Sequence, residues 1–249
     1  MKLSVALFFA GLFGALAAVF ILLSFGTDYW LLASESCTHS SEGTVGPSVV
    51  PVERGDVVIQ DPEDQSFVTV YHEGFFWRCS FKGNMDDEDL ISKLWFTNQP
   101  DTKVCMHAYL FPFPISHPIN NSTEYESAII YRGFWSVFML IGVVSVVLGG
   151  FFIICAAPFA SHNLYKAGGV LFLTSGIFLL VVVVMYVLWI QVLDVVEHYM
   201  DYHKSMCPDY QLSLSYGLSF MFAPIGIFFC LLAGLLFLLI GRTIKIHYN

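Results

Sequence analysis

Residues Ala167–Leu193 read AGGVLFLTSGIFLLVVVVMYVLWIQVL, a run without a single Asp, Glu, Lys, Arg or His. A helix needs about 20 apolar residues to cross a hydrocarbon core of about 30 Å. The stretch therefore reads as a transmembrane helix. Three more charge-free runs lie outward from it: Leu3–Thr27, Gly133–Ala157 and Gln211–Gly241. Unpaired backbone groups are costly in lipid and the runs lack the alternation of barrel strands, so all four read as helices. Composition agrees, with 56% hydrophobic and 12% charged residues, against about 45–50% and 25% in soluble domains. An acidic chain of net charge −9 with 24 Phe is neither a solvated coil nor a nucleic-acid binder. Met1-Lys2 and Ala15-Leu16-Ala17 imitate a signal peptide, but the apolar run continues through Val19–Leu23 without a polar break. The first run reads as a retained span. Pro158 closes the second span, and Pro224 is expected to kink the fourth.

These boundaries divide the chain into spans at 1–27, 133–157, 167–193 and 214–240. A large outer loop covers 28–132, a second outer loop 194–213, a short inner loop 158–166 and a tail 241–249. Lys2, Lys166, Arg242 and Lys245 lie on one side with no acid among them, while all 20 acids and the other bases lie opposite. Basic loops stay in the cytoplasm, so the expected topology has both termini cytoplasmic and the recognition surface outside. The sequons Asn120-Asn121-Ser122 and Asn121-Ser122-Thr123 fall in the outer loop and mark Asn120 or Asn121 for one glycan.

Cys37, Cys79, Cys105 and Cys207 share that side, where an oxidising compartment favours two disulfides among three possible pairings. Cys37/His39 and Cys105/His107 match no standard zinc spacing. Asp86–Asp89 lacks the sixth-position Gly and the closing Glu of a calcium loop, and reads as a solvated acidic loop. No metal or cofactor is implied. Phe67–Tyr71, Gly74–Phe81 and Lys103–Leu110 are rich in β-branched and aromatic residues and read as short antiparallel strands. Helices are expected to extend the second and third spans through Ser122–Arg132 and Asp194–His203. Alternation along a strand exposes about half of an aromatic run on each face, making Phe75, Phe76 and Trp77 candidate partner contacts as well as core candidates.

Trp30 just after the first span, Gly74-Phe75-Phe76-Trp77-Arg78-Cys79, Cys105, and Arg132 before the second span together resemble the claudin superfamily. Its first loop carries W…G-L-W-x-x-C…C, and Phe76 stands here at the motif's second Trp. The resemblance implies an all-α transmembrane four-helix bundle with a small extracellular antiparallel β-sheet. It also implies a Cys79–Cys105 bridge, leaving Cys37 for Cys207. Longer strings resemble a muscle-lineage branch of the superfamily: Phe25–Ala33, Tyr71–Cys79, Trp95–Pro100, Tyr131–Trp135, Cys155–His162 and Ala233–Leu238. That likeness implies a plasma-membrane protein that restrains myoblast differentiation and fusion, with the integrin β1 subunit as partner. The acidic segment 42–64 departs from the branch's pattern and carries no functional assignment.

The spans hold no Asp, Glu, Lys, Arg or His, and transport of ions or protons needs such groups at membrane depth. G-x-S-x-G, H-E-x-x-H and the phosphate-binding G-x-x-x-x-G-K-[ST] are absent. The chain reads as a non-enzymatic regulator that lives in the lipid bilayer and binds another membrane protein. Two alternatives stand beside it: an auxiliary subunit of an ion channel or receptor, and a claudin-like adhesion protein. The end His247-Tyr248-Asn249 lacks the apolar terminus that junctional PDZ grooves capture. Small residues recur at Ala10, Gly14 and Ala18 and at Gly226, Cys230 and Gly234. Such faces allow close helix packing within one bundle or between two copies.

Overall fold

The computed structural model describes residues 3–37, 67–84, 103–108, 113, 122–159, 161–191 and 195–248. The sequons at Asn120 and Asn121, the acidic segments 42–64 and 86–89, and Trp95–Pro100 lie outside the described residues.

Four helices are long and apolar enough to cross a membrane. They are α1 (Leu3–Gly26), α2 (Ser122–Phe159), α3 (His162–Gln191) and, last in the chain, α5 (Leu218–Tyr248). A shorter helix, α4 (Val195–Met206), follows α3. At 1.5 Å per residue, the 38 residues of α2 reach about 57 Å, well past the hydrocarbon core. Its N-terminal part carries Arg132, which meets the hairpin around Phe75. Only residues 160 and 161 separate α2 from α3, so the inner connection is shorter than the charge pattern suggests. Pro158 sits inside the last turn of α2 rather than beyond it.

In the bundle α2 packs on α3, α3 on α5 and α5 on α1, while α1 and α2 meet sparsely. Lipid gives helices no hydrophobic drive to associate, so packing depends on how closely backbones approach. The inward stripe of α1 is Ala10, Gly14, Ala17, Ile21 and Ser24, with Ala17 and not Ala18 at the centre. A Cβ on Gly234 would come within 2.9 Å of the Gly169 carbonyl, so these two glycines let α5 and α3 touch backbone to backbone. Ser175 adds a hydrogen bond to the Gly142 carbonyl of α2 at 2.7 Å. The small faces are thus used inside the chain.

A graded outcome follows. Gly234→Leu is expected to force α3 and α5 apart at a cost of about 1–3 kcal/mol, and surface expression should drop. At Gly14 a Cβ first meets the Phe172 ring at 3.3 Å, which can shift, so Gly14→Leu should cost less. Gly11→Leu, with nothing within 4 Å, should leave expression unchanged. Equal expression of all three would contradict the packing described.

The sheet caps one end of the bundle. Its strands are β1 (Leu31–Ser36), β2 (Phe67–Glu73), β3 (Trp77–Asn84), β4 (Val104–His107) and β5 (Gln211–Tyr216). All pairings are antiparallel, in the order β4-β3-β2-β1-β5. Three strands depart from the sequence expectation, the first being β1, for which the sequence offers no strand signal. Residues 211–216 belong to β5, so the fourth span begins at Leu218 and runs on through Tyr248. Residues 74–76 form the tight connection of the β2–β3 hairpin, closed by a bond from the Gly74 amide to the Trp77 carbonyl.

β1 leaves α1 and β5 enters α5, and these two helices pack together, which brings the strands side by side. The joint is sealed by hydrogen bonds from Gly217 to the Trp30 carbonyl at 3.0 Å and from Ser219 to the Tyr29 carbonyl at 3.1 Å. The Ser219 and Thr27 hydroxyls meet at 2.6 Å. Gly217 is obligatory here, because a Cβ would collide with the Tyr29 carbonyl.

Candidate functional site

The sheet is fastened to the bundle along its underside, and among the described residues no strand pairs with the outer edge of β4. The fastening begins at Trp30, 2% exposed, whose indole N–H donates to the Ser24 carbonyl at 2.7 Å. Its ring meets Tyr186 of α3 and Phe220 of α5 at 5.1 and 5.8 Å between centroids. One aromatic side chain thus joins three spans where the first strand starts.

The second fastening is Arg132 of α2, fully buried at 1% exposure. It donates to the Phe75 carbonyl at 2.8 Å. Its guanidinium lies 4.2 Å from the centroid of Trp135 and 5.4 Å from that of Phe75. A buried cation needs both hydrogen bonds and polarisable neighbours, and the hairpin backbone and two aromatic faces supply them. Gly74 lets the hairpin lie against the link between α1 and β1, since a Cβ there would strike Asp28. Trp30, Gly74 and Arg132 therefore meet at one joint, as parts that position the sheet.

A second buried charge system was not legible from motifs. Glu73 and Arg78 face each other across the β2–β3 hairpin and form an ion pair at 2.7 Å, with exposures of 4% and 5%. The carboxylate also accepts the Phe113 amide at 3.0 Å. The Phe113 carbonyl in turn accepts the Trp189 indole N–H of α3 at 2.9 Å. Opposite charges flanking a four-residue turn were the available signal, since facing ion pairs favour a hairpin register.

On the far flank, Glu35 of β1 accepts the hydroxyls of Tyr71 at 3.2 Å and Tyr199 at 2.6 Å, tying α4 to the sheet. Burial, then the neighbouring Glu35 charge, push the Tyr71 hydroxyl pKa up to about 12. Burial followed by the same carboxylate also raises that of Tyr210. Cys37 at the end of β1 is bonded to Cys207 just after α4, and Cys79 to Cys105 directly opposite it across β3 and β4. The disulfides staple both flanks. Among the described residues no group of three or more His, Cys, Asp or Glu converges as for a metal.

The aromatic run Phe75-Phe76-Trp77 splits into two uses. Phe75 is 4% exposed between Phe25, Phe76 and Arg132. It is a packing residue, correcting its reading as a partner contact. The strand-alternation argument fails for it because Phe75 and Phe76 lie in the turn. Phe76 and Trp77 remain accessible, and the Trp77 ring lies tilted against His107 at 4.2 Å between centroids. All four residues of β4 are exposed. Val104 and Met106 stand on the face shared with Ser80 and Arg78, while Trp77 and His107 stand on the other.

His72 gives this end a pH dependence. It is 3% exposed, donates from Nδ1 to the Asp28 carbonyl at 2.9 Å and stacks on Tyr29 at 4.7 Å. Burial, with the Lys103 charge adding to it, holds its pKa below the ordinary 6.5. The unfolded chain therefore takes up this proton first, and stability present above pH 6.5 is lost as pH falls. Burial raises the pKa of Asp28 above 3.8, an opposing effect in a lower window. Melting followed from pH 7.5 to 5.5 should fall more in the wild type than in His72→Asn.

Four spans, a five-stranded antiparallel cap and the Trp30–Gly74–Arg132 joint define a four-span, claudin-like membrane protein. Residues 15–239 match the family described as PMP-22/EMP/MP20/Claudin tight junction, and the chain belongs to that family. Within it, the chain is similar end to end to transmembrane protein 182 of several vertebrates. It is 59% identical to the Danio rerio protein over 254 residues, covering 100% of both chains. It is 50% identical to that of Xenopus tropicalis over 99% of each chain, and 49% identical to that of Homo sapiens over 100% of each.

Proposed function

We propose that the protein is a non-enzymatic regulator in the plasma membrane that restrains myoblast differentiation and fusion by binding the integrin β1 subunit. Both termini face the cytoplasm in this reading, and the sheet faces outside. The observation that carries it is the β4 edge. All four residues of the strand are exposed, with Val104 at 62% and Met106 at 39% on one face, and Trp77 at 40% beside His107 on the other. Natural sheets cover or charge such an edge, and an open one offers main-chain hydrogen bonds to a partner strand. Ordering the edge in advance, through Cys79–Cys105, lowers the entropy cost of association.

The full-length chain should co-precipitate integrin β1 from differentiating muscle cells. Val104→Glu combined with Met106→Glu should abolish the complex at unchanged surface level, and fusion should rise. A complex that survives the double variant would remove the edge from the account. A C-terminal epitope should be reached by antibody only after permeabilisation.

A further inference from the structure

We propose that the end of the bundle opposite the sheet binds the headgroup of an anionic phospholipid, between the start of α3 and the end of α5. The inference is separate from the integrin reading and concerns the other face of the membrane.

Three bases converge there. The Lys166 stem lies over Gly241, where an added Cβ would come within 2.8 Å of its Cγ. Lys245 is four residues beyond Gly241, and so sits one turn farther out on the same helix face. Arg242 is three residues from Lys245, again a neighbour on the helix surface. Arg242 and Lys245 are exposed and Lys166 is half-buried. Lys2 lies outside the described residues.

Among the described residues no carboxylate pairs with them. Residues 1–27, 133–193 and 211–249 contain no Asp or Glu, and the ion pair found among the described residues lies in the sheet. These cations sit where the apolar spans end, and a bilayer crossed by those spans would bring its phosphates to them. Apolar side chains flank them at the same end: Phe159, last residue of α2, and Ile246, four residues past Arg242, are each 77% exposed. Cationic heads beside exposed apolar groups match a lipid, whose phosphate and acyl chains lie together. A soluble anion would leave Phe159 and Ile246 uncovered. Long basic side chains suit the position, since their stems lie along apolar surface while the charge reaches the phosphate layer.

The test is native mass spectrometry of the detergent-purified full-length chain, titrated with phosphatidylserine or phosphatidylcholine. Phosphatidylserine should be retained in preference. Each of Lys166→Gln, Arg242→Gln and Lys245→Gln should lower its retention about fivefold, and the triple variant should abolish the preference. Lys166→Arg with Lys245→Arg should keep it, which separates lost charge from lost packing. Lys82→Gln with Lys204→Gln, neutralising two exposed bases at the sheet end, should change nothing. Equal retention of both lipids by the wild type would overturn the proposal. So would an unchanged preference in the triple variant, or displacement of the lipid by an equal concentration of inorganic phosphate.

Discussion

Arg132→Met is expected to lower stability by about 3 kcal/mol and to remove most of the protein from the cell surface. The guanidinium is buried against the Phe75 carbonyl and two aromatic rings. Its removal leaves that carbonyl buried with the charged donor gone, which costs about 1–3 kcal/mol. Losing the stacking on Trp135 and Phe75 adds about 1–2 kcal/mol at a desolvated site. Methionine fills much of the volume, so the loss reports on polar contacts rather than on a cavity. Arg132→Lys should fall between, because a compact ammonium cannot match the planar guanidinium on the rings and the carbonyl together. Thermal unfolding in micelles and surface biotinylation read the two effects. A variant as stable as the wild type would mean that the hairpin is held elsewhere.

The Glu73–Arg78 pair should show non-additive behaviour. Glu73→Leu takes away the carboxylate that faces Arg78 and accepts the Phe113 amide. Removing one partner of a buried pair costs about 3–5 kcal/mol. Arg78→Met should cost a similar amount for the mirrored reason. The double variant places two apolar side chains at facing positions in the hairpin, and should be more stable than either single. Coupling of at least about 2 kcal/mol is expected from groups in one network. Strict additivity would show that the charges are not coupled as the geometry implies. Glu73→Leu also frees the Phe113 amide from the carboxylate, so proteolysis near the sheet should accelerate in that single and in the double, and less in Arg78→Met.

These two clusters mark where sequence reading was strong and where it ran out. The four spans are legible because lipid imposes one rule on every residue along them, and a charge-free run of sufficient length satisfies it alone. Gln211–Tyr216 passed the same filter for a different reason. It holds no charge, yet it alternates Gln, Leu, Ser, Leu, Ser and Tyr, the period-2 mark of β5 that the hydropathy of the run conceals. β1 was missed because Leu31–Ser36 follows the first span without a turn signal, and only its pairing with β2 and β5 makes it a strand.

The joint was legible in part. Trp30, Gly74 and Arg132 stood out through the family pattern, while their mutual contacts depend on three separate chain segments meeting. Glu35, Tyr199 and Trp189 carried no motif at all. Each acquires its role from a partner far away in sequence, at separations of 164 residues for Glu35 to Tyr199 and 76 for Trp189 to Phe113. The aromatic run Phe75–Trp77 shows the limit of local rules most directly. Alternation treats it as strand, and one tight turn redistributes its members between core and surface.

Recognition through the β4 edge, as proposed, is open to site-specific photo-crosslinking. A photoreactive residue is placed in the full-length chain at Met106, on the open edge, or at Phe8, exposed at 66% on α1. Both chains are irradiated in differentiating muscle cells. Capture of integrin β1 from position 106 and not from position 8 is the predicted result. Capture from position 8 alone would contradict it, and would move recognition from the sheet to the lipid-facing side of the bundle.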